Sequence, residues 1–158
     1  MKRSVEVVAV VLLALALGAC GKKIGDDCKD SVDCNDEDNT RTCDLSQPGG
    51  YCTIDGCDEG SCPGESVCVR FFPAMEFLNK SCDPDAATAC EPHEVCIRYA
   101  DGGRCAPRST ESRKCVLKCD GDDDCRDEYV CRTTGEGNAV ALTRTAGARA
   151  RYCSPRGF

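Results

Sequence analysis

Cysteine is the residue type with the most chemistry to offer in this chain, which contains seventeen cysteines and a single histidine. Redox thiol exchange and structural zinc sites both use Cys-x-x-Cys pairs, whose close spacing lowers one thiol pKa. The chain contains no such pair, since Cys115 and Cys119 are one residue too far apart. The spacing therefore argues against redox exchange and zinc binding, and it favours disulfide bonds.

Three alternating aspartates, Asp120, Asp122 and Asp124, match the first half of a calcium-binding loop. An EF-hand then needs glycine at its sixth position and glutamate at its twelfth. Those positions are Cys125 and Cys131 here, so an EF-hand is excluded. The three carboxylates remain a candidate for a looser calcium site, against the simpler interpretation of a solvated acidic turn. We predict no cofactor.

Catalytic residues are scarce in this sequence. His93 is the only histidine, so no second one can complete a metal site with it. A Ser/His/Asp hydrolase needs a larger fold to position its residues. We expect an exposed polar side chain at His93 and do not expect an enzyme.

The first twenty residues indicate export. A basic start, Met1 to Arg3, precedes an unbroken apolar run over 7–17, which Gly18, Ala19 and Cys20 close. That order is typical of a secretory signal peptide, and the run is shorter than the roughly 20 residues of a membrane-spanning helix. Its end resembles the bacterial lipobox. The resemblance implies a lipoprotein signal peptide at 1–19 and a diacylglyceryl group on the Cys20 thiol, completed by acyl chains such as palmitate.

Gly21 follows the cysteine that the resemblance marks for lipidation. In the enteric sorting rule an aspartate at that position retains a lipoprotein at the inner membrane, so glycine favours the outer membrane. We expect a lipid anchor in the bacterial cell envelope, at the periplasmic face or the surface of the outer membrane. The chain after residue 19 has a net charge of −8, which argues against nucleic acid as a partner.

Composition predicts the fold class. The chain has no tryptophan, four phenylalanines and four tyrosines, and is 30% charged, so it cannot bury enough apolar surface to offset its chain entropy. We predict a small disulfide-rich fold of tandem cysteine-rich repeats with short β-hairpins, little regular secondary structure and no large hydrophobic core. Disulfides persist outside the cytoplasm, and the predicted disulfide cysteines are Cys28, Cys34, Cys43, Cys52, Cys57, Cys62, Cys68, Cys82, Cys90, Cys96, Cys105, Cys115, Cys119, Cys125, Cys131 and Cys153.

The cysteine pattern repeats four times. In three stretches, 62–68, 90–96 and 125–131, five residues separate two cysteines and valine precedes the second one. An earlier cysteine precedes each stretch, and a looser copy, 28–43, begins the array. The predicted segments are a lipid-anchored linker, 20–27; repeat 1, 28–52; repeat 2, 57–81; repeat 3, 82–105; repeat 4 with a long basic loop, 115–153; and a tail, 154–158.

The spacing does not decide which cysteine is the fourth one of repeat 2. In one parse Cys115 pairs with the unmatched cysteine of repeat 2, and in another Cys82 closes that repeat. Sixteen cysteines allow about two million pairings, so the sequence alone does not choose.

Short elements must position these cysteines. The apolar stretches 67–70 and 95–98 are predicted strands, and the glycine pairs at 49–50 and 102–103 are predicted hairpin turns. Residues 73–80 begin with proline and are predicted to form one short helix.

The cysteine spacing over 28–153 resembles that of the cysteine-rich lipoproteins of predatory and gliding deltaproteobacteria. It is also similar to the amino-terminal cysteine-rich module of Dickkopf-type proteins. The closest stretch is 119–131, Cys-Asp-Gly-Asp-Asp-Asp-Cys-Arg-Asp-Glu-Tyr-Val-Cys. The chain departs from EGF modules, which need a Cys-x-Cys pair. The Dickkopf likeness implies protein binding but no particular ligand.

Two segments are candidates for a binding surface. Phe71, Phe72 and Phe77 belong to an apolar cluster, interpreted either as a small core under repeats 2 and 3 or as a docking patch, because aromatic residues are enriched at interface hot spots. The long gap between the last two cysteines contains Arg144 and Arg149, as a protease-inhibitor loop would.

These observations predict a lipid-anchored cell-envelope protein with a non-catalytic binding or structural role. Its expected partners are the membrane, through the lipid, and another envelope or extracellular protein. The alternative is a protease inhibitor or secreted effector on the same disulfide scaffold.

Overall fold

Short strands make up most of the regular structure. The computed structural model describes residues 21–35, 38, 40–72, 80–84, 86, 90–99, 102–135, 139–142 and 150–157. Within these residues no helix is long and apolar enough to cross a membrane. The elements in chain order are α1 (Ser31–Cys34), β1 (Thr42–Cys43), β2 (Cys52–Thr53), β3 (Ser66–Phe71), β4 (Ser81–Cys82), β5 (Glu94–Tyr99), β6 (Gly102–Pro107), a 3-10 turn (Arg108–Thr110), β7 (Ser112–Leu117), a 3-10 turn (Asp122–Asp124), β8 (Tyr129–Thr133), β9 (Ala139–Ala141) and β10 (Arg151–Pro155).

All sixteen predicted disulfide cysteines are paired, in four units of two bridges. In every unit the first cysteine bonds to the third and the second bonds to the fourth. The first to fourth units are Cys28–Cys43 with Cys34–Cys52, Cys57–Cys68 with Cys62–Cys115, Cys82–Cys96 with Cys90–Cys105, and Cys119–Cys131 with Cys125–Cys153.

The third and fourth cysteines of each unit lie directly opposite one another on antiparallel strands. Side chains at opposite positions share one face of the strand pair. Both therefore reach back to the loop that contains the first two cysteines, and the two bridges fasten that loop to one face of the strand pair. The opposed pairs are Cys43 and Cys52, Cys68 and Cys115, Cys96 and Cys105, and Cys131 and Cys153.

A side-chain hydrogen bond shapes the loop between the first and second cysteines in three of the units. The residue before the second cysteine accepts from the backbone N–H of the residue after the first cysteine. Carboxylates and hydroxyls suit this position because they bond to nearby backbone groups in turns. The three bonds run from Lys29 to Asp33 (2.8 Å), from Asp58 to Ser61 (2.9 Å) and from Asp120 to Asp124 (2.7 Å).

The pairing of Cys115 resolves the alternative that the sequence left open. Cys115 bonds to Cys62 across 53 residues, and Cys82 bonds within the third unit. In the sequence, every described residue of the third unit therefore lies between β3 and β7, the two strands that pair directly in the second unit. Cys115 belongs with the second unit, in contrast to the expected segments 57–81 and 115–153.

The two predicted strands are confirmed, since 67–70 lies in β3 and 95–98 lies in β5. The second glycine pair has a different position from the expected turn, because both glycines begin β6. A Cβ atom on Gly103 would lie 2.5 Å from the Cys82 carbonyl oxygen and 2.7 Å from the Cys96 Sγ. Glycine is needed there because β4 and a disulfide approach the backbone closely.

The first glycine pair does form a turn between β1 and β2. Gly49 and Gly50 both have positive φ angles, 70° and 69°, and Gly50 N–H donates to the Gln47 carbonyl at 3.0 Å. The helix predicted for 73–80 lies outside the described residues except at Lys80. The prediction for 73–79 therefore stays untested.

Strands and buried side chains from different units pack together. β9, from the long loop of the fourth unit, pairs with β3 of the second unit and completes a three-stranded sheet of order β7-β3-β9. The main cluster of fourteen buried residues includes five half-cystines, so crosslinks supply much of this modest core. A smaller cluster of Phe72, Ile97 and Ala106 packs the third unit against the second.

The segment expected to be a linker, 20–27, packs onto the first unit from its middle onwards. Ile24 is fully buried in the main cluster. Gly25 N–H donates to the Cys52 carbonyl at 2.9 Å, and Cys52 N–H donates to the Asp26 carbonyl at 2.9 Å. An apolar side chain that fills the core draws this segment into the fold.

Candidate binding cavity

The first, second and fourth units meet around a cavity of about 300 Å³. That volume is at the lower end of the range for small-molecule sites, about 300–1,000 Å³. Most of its wall is apolar. The lining residues are Asp44, Ser46, Gln47, Tyr51 and Thr53 of the first unit, Phe71, Phe72, Ser112, Lys114 and Val116 of the second, and Tyr129, Cys153, Ser154 and Pro155 of the fourth.

Strand β7 supplies one wall of the cavity. Side chains alternate between the two faces of a strand, so Ser112, Lys114 and Val116 share the face that lines the cavity. Cys115 points to the opposite face, where it bonds to Cys62. The Cys62–Cys115 disulfide therefore holds the strand that presents Lys114.

Two stacked tyrosines form a second wall, and an arginine lies over the ring of one of them. The rings of Tyr51 and Tyr129 have centroids 5.5 Å apart, and the Arg126 guanidinium carbon lies 4.5 Å from the Tyr129 centroid. Arg126 also donates to the Pro48 carbonyl at 2.7 Å, to the Gly50 carbonyl, and to the Tyr129 hydroxyl at 2.8 Å. One side chain of the fourth unit thereby ties that unit to the first.

Both tyrosines remain neutral over the ordinary pH range. Burial raises the pKa of the Tyr51 phenol, whose oxygen accepts from Leu117 N–H at 3.0 Å. Burial also raises the pKa of Tyr129, against the opposing influence of Arg126. The aromatic wall is therefore uncharged.

An ion pair marks the polar end of the cavity. The Lys114 ammonium lies 2.5 Å from Asp44 Oδ2 and 3.8 Å from Asp55 Oδ1. Asp44 Oδ1 accepts from the backbone N–H of Ser46 at 3.0 Å and from its hydroxyl at 2.6 Å. Burial works to raise the pKa of Asp44, but the hydrogen bonds from Lys114 and Ser46 outweigh it and lower that pKa. The carboxylate is therefore ionised at neutral pH.

The predicted phenylalanine patch is divided by the structure. Phe71 is partly buried and lines the cavity. Phe72 is only 2% exposed and packs against Ile97 and Ala106 of the third unit, which agrees with a small core under repeats 2 and 3. Phe77 lies outside the described residues, so its part in a docking patch stays a prediction.

Two of the three alternating aspartates have a structural explanation. Asp124 accepts from the N–H groups of Asp120 and Gly121 at 2.7 and 3.2 Å, and these bonds lower the pKa of its carboxyl. Asp122 Oδ1 accepts from Cys131 N–H at 2.8 Å. Two of the three carboxylates thus hold the backbone of the fourth unit, and the calcium candidate receives no geometric support from them.

Clusters of three cysteine sulfurs, with all sulfurs within 4.8 Å of one another, occur in each unit, an example being Cys28, Cys34 and Cys43. Every cysteine in these clusters is oxidised to a disulfide, whereas a metal needs thiolate ligands. His93 is exposed, as expected. Cys20, Arg144 and Arg149 lie outside the described residues, so the predictions for the lipid and for an inhibitor loop stay untested.

Sequence reasoning missed the residues that give the cavity its charge. Asp44 and Lys114 are 70 residues apart, and no local pattern relates them. Strand β7 itself has no alternation of apolar and polar residues, because three polar residues, 112–114, precede three apolar ones, 115–117. Tyr51 directly precedes the fourth cysteine of its unit, as Tyr152 does in the fourth unit, and both tyrosines are buried.

No family model, curated protein or solved structure matches the chain. The cavity must therefore be interpreted from its own geometry.

Proposed function

We propose that this protein is a lipid-anchored protein of the bacterial cell envelope whose role is non-catalytic binding. The cavity between three disulfide-crosslinked units supports the binding role, because small-molecule sites are concave, mostly apolar and provided with a few polar groups. Eight disulfides on sixteen cysteines suit an exported protein. The lipobox-like ending at Cys20 supports the anchor, and Gly21 supports the outer membrane.

The fold begins very close to the proposed anchor. Ile24 is fully buried only four positions after Cys20, and four residues of extended chain span at most about 14 Å. A lipid on Cys20 would therefore hold the first unit next to the bilayer. The ligand would then be captured near the membrane surface rather than at the end of a long flexible tether.

The anchor is tested by metabolic labelling with a palmitate analogue in a bacterial host, followed by membrane fractionation. We expect the wild-type chain to take up the label and to require detergent for its extraction. Cys20→Ser should abolish the labelling. A label that survives this substitution, or no label on the wild type, would contradict the anchor.

A further inference from the structure

The charge around the cavity is unbalanced. Asp44 and Asp55 both face the single ammonium of Lys114, at 2.5 and 3.8 Å. Among the residues that line the cavity, Asp44 and Lys114 are the two with charged side chains, and with Asp55 two carboxylates face one ammonium at the polar end. The Arg126 guanidinium is bonded elsewhere, to the Pro48 and Gly50 carbonyls and the Tyr129 hydroxyl. Arg113, the neighbour of Lys114 on β7, pairs on the other face with Glu111 and Asp58. It does not offset that charge.

The apolar part of the cavity lies beside this acidic end. Phe71 of the second unit lines it as a partly buried side chain, and Phe72, Val116 and Tyr129 line it with 2%, 5% and 1% of their surface exposed. The wall also contains the polar side chains of Gln47 and Thr53 and the hydroxyls of Ser46, Ser112 and Ser154, and hydroxyls can accept from an amine. A ligand that fills this space needs an apolar body and a positively charged donor group.

We propose that the cavity binds small amphipathic cations, in which an aromatic or aliphatic group carries a protonated amine or a guanidinium. The apolar group packs against Phe71 and Val116, and the cation takes a place beside the Asp44 carboxylate. This assignment rests on the proposed binding function and specifies its ligand class. The opposite class, an apolar anion, would have to compete with two carboxylates for Lys114.

Three compounds with the same indole ring system test the proposal directly, because they differ in charge. Tryptamine is a cation, indole is neutral, and indole-3-propionate is an anion. The protein has no tryptophan, so indole fluorescence anisotropy reports the ligand alone. The experiment uses the purified, oxidised chain. We expect tryptamine to bind at least fivefold more tightly than indole and indole-3-propionate.

Two substitutions at the ion pair should move this selectivity in opposite directions. Asp44→Asn removes the negative charge but keeps an oxygen that can accept from Ser46. It should weaken the binding of tryptamine at least fivefold and strengthen the binding of indole-3-propionate. Lys114→Met should strengthen tryptamine, because it removes the competing ammonium. Asp123→Asn, an equal charge change on an exposed turn outside the cavity, should leave all three affinities within twofold. Thermal unfolding of each variant identifies any loss of folding.

The outcomes separate the ligand class from the binding function. Equal binding of all three compounds, or tighter binding of indole-3-propionate, would overturn the cation assignment and leave a binding cavity in place. Failure of all three compounds to bind the folded wild-type protein would overturn both. If Asp44→Asn does not fold, unchanged tryptamine affinity in folded Lys114→Met contradicts the proposal.

Discussion

Cys62 and Cys115 are bonded across 53 residues, and the whole described part of the third unit lies between them. Cys115 stands opposite Cys68 in the pairing of β7 with β3. This bridge therefore closes the second unit around an inserted one. It also fixes the strand that presents Lys114 to the cavity.

Removing this bridge should destabilise the protein more than removing the short bridge of the same unit, Cys57–Cys68, which spans 11 residues. In the chain-entropy model the difference between the two loop lengths is about 1.4 kcal/mol at most, because the bridges of the third unit shorten the longer loop. Urea unfolding of C62A/C115A and C57A/C68A measures it. Equal stability of the two double variants would mean that the second unit does not depend on its long closure.

Arg126 should be the most important single side chain between the first and fourth units. Arg126→Ala removes its hydrogen bonds to Pro48, Gly50 and Tyr129 and should lower the free energy of unfolding by about 3 kcal/mol. Arg126→Lys should recover only part of this, since an ammonium lacks the planar fork. The control is Arg156→Ala, at an exposed position, which should change stability by less than about 0.5 kcal/mol. Similar effects of Arg126→Ala and Arg156→Ala would refute the role of the stack.

Gly50 and Gly56 separate backbone strain from steric overlap. Both have positive φ angles, 69° and 72°. A Cβ atom on Gly50 would lie 2.0 Å from the Cys28 carbonyl oxygen, whereas one on Gly56 meets nothing within 4 Å. Gly56→Ala should cost about 1 kcal/mol of unfolding free energy, and Gly50→Ala about 3 kcal/mol or more. Chemical denaturation measures both free energies of unfolding. Equal costs would contradict the close approach of the Gly50 backbone to the Cys28 carbonyl.

Asp124 should contribute to the loss of stability in acid. The N–H groups of Asp120 and Gly121 lower the pKa of its carboxyl in the folded state. A group whose pKa is lowered by folding stabilises the protein above its unfolded pKa, about 4, and this contribution is lost as the pH falls through the folded pKa. Unfolding measured from pH 6 to pH 2 should therefore show a smaller acid loss for Asp124→Asn than for the wild type.

Asp123 provides the control for that titration, because it is exposed on the same 3-10 turn. Asp123→Asn makes an equal charge change, and the acid loss of stability should be smaller for Asp124→Asn than for this variant. If the two variants lose equal stability in acid, the Asp124 carboxylate does not hold the loop of the fourth unit.

Local spacing predicted the parts of the fold that depend on neighbouring residues. The two strands around Cys68 and Cys96, the disulfide-rich class and the turn at Gly49 and Gly50 all follow from short patterns of valine, cysteine and glycine. The pairing of first to third and second to fourth cysteines did not follow from these patterns. It depends on which cysteines the paired strands bring opposite one another. The insertion of the third unit also depends on a contact between distant segments.

The candidate site was predictable only in part, for the same reason. Phe71 and Phe72 stood out as apolar residues, and both line the cavity. Its charged end comes from Asp44 and Lys114, which belong to different units and are 70 residues apart in the sequence. Tyr129 lies in the last of the three repeated stretches, 125–131, yet its place in the cavity depends on its contacts with Tyr51 of the first unit and Arg126 of its own unit.

The measurement that tests the account most directly is mass spectrometry of the protein extracted from native membranes, first intact and then as peptides with their disulfides preserved. We predict acyl chains on the peptide that contains Cys20 and eight bridges that join first to third and second to fourth cysteines, including Cys62 to Cys115. An unmodified Cys20 would contradict the anchor. A free thiol among the other sixteen cysteines, or a bond between Cys62 and Cys82, would contradict the architecture that forms the cavity.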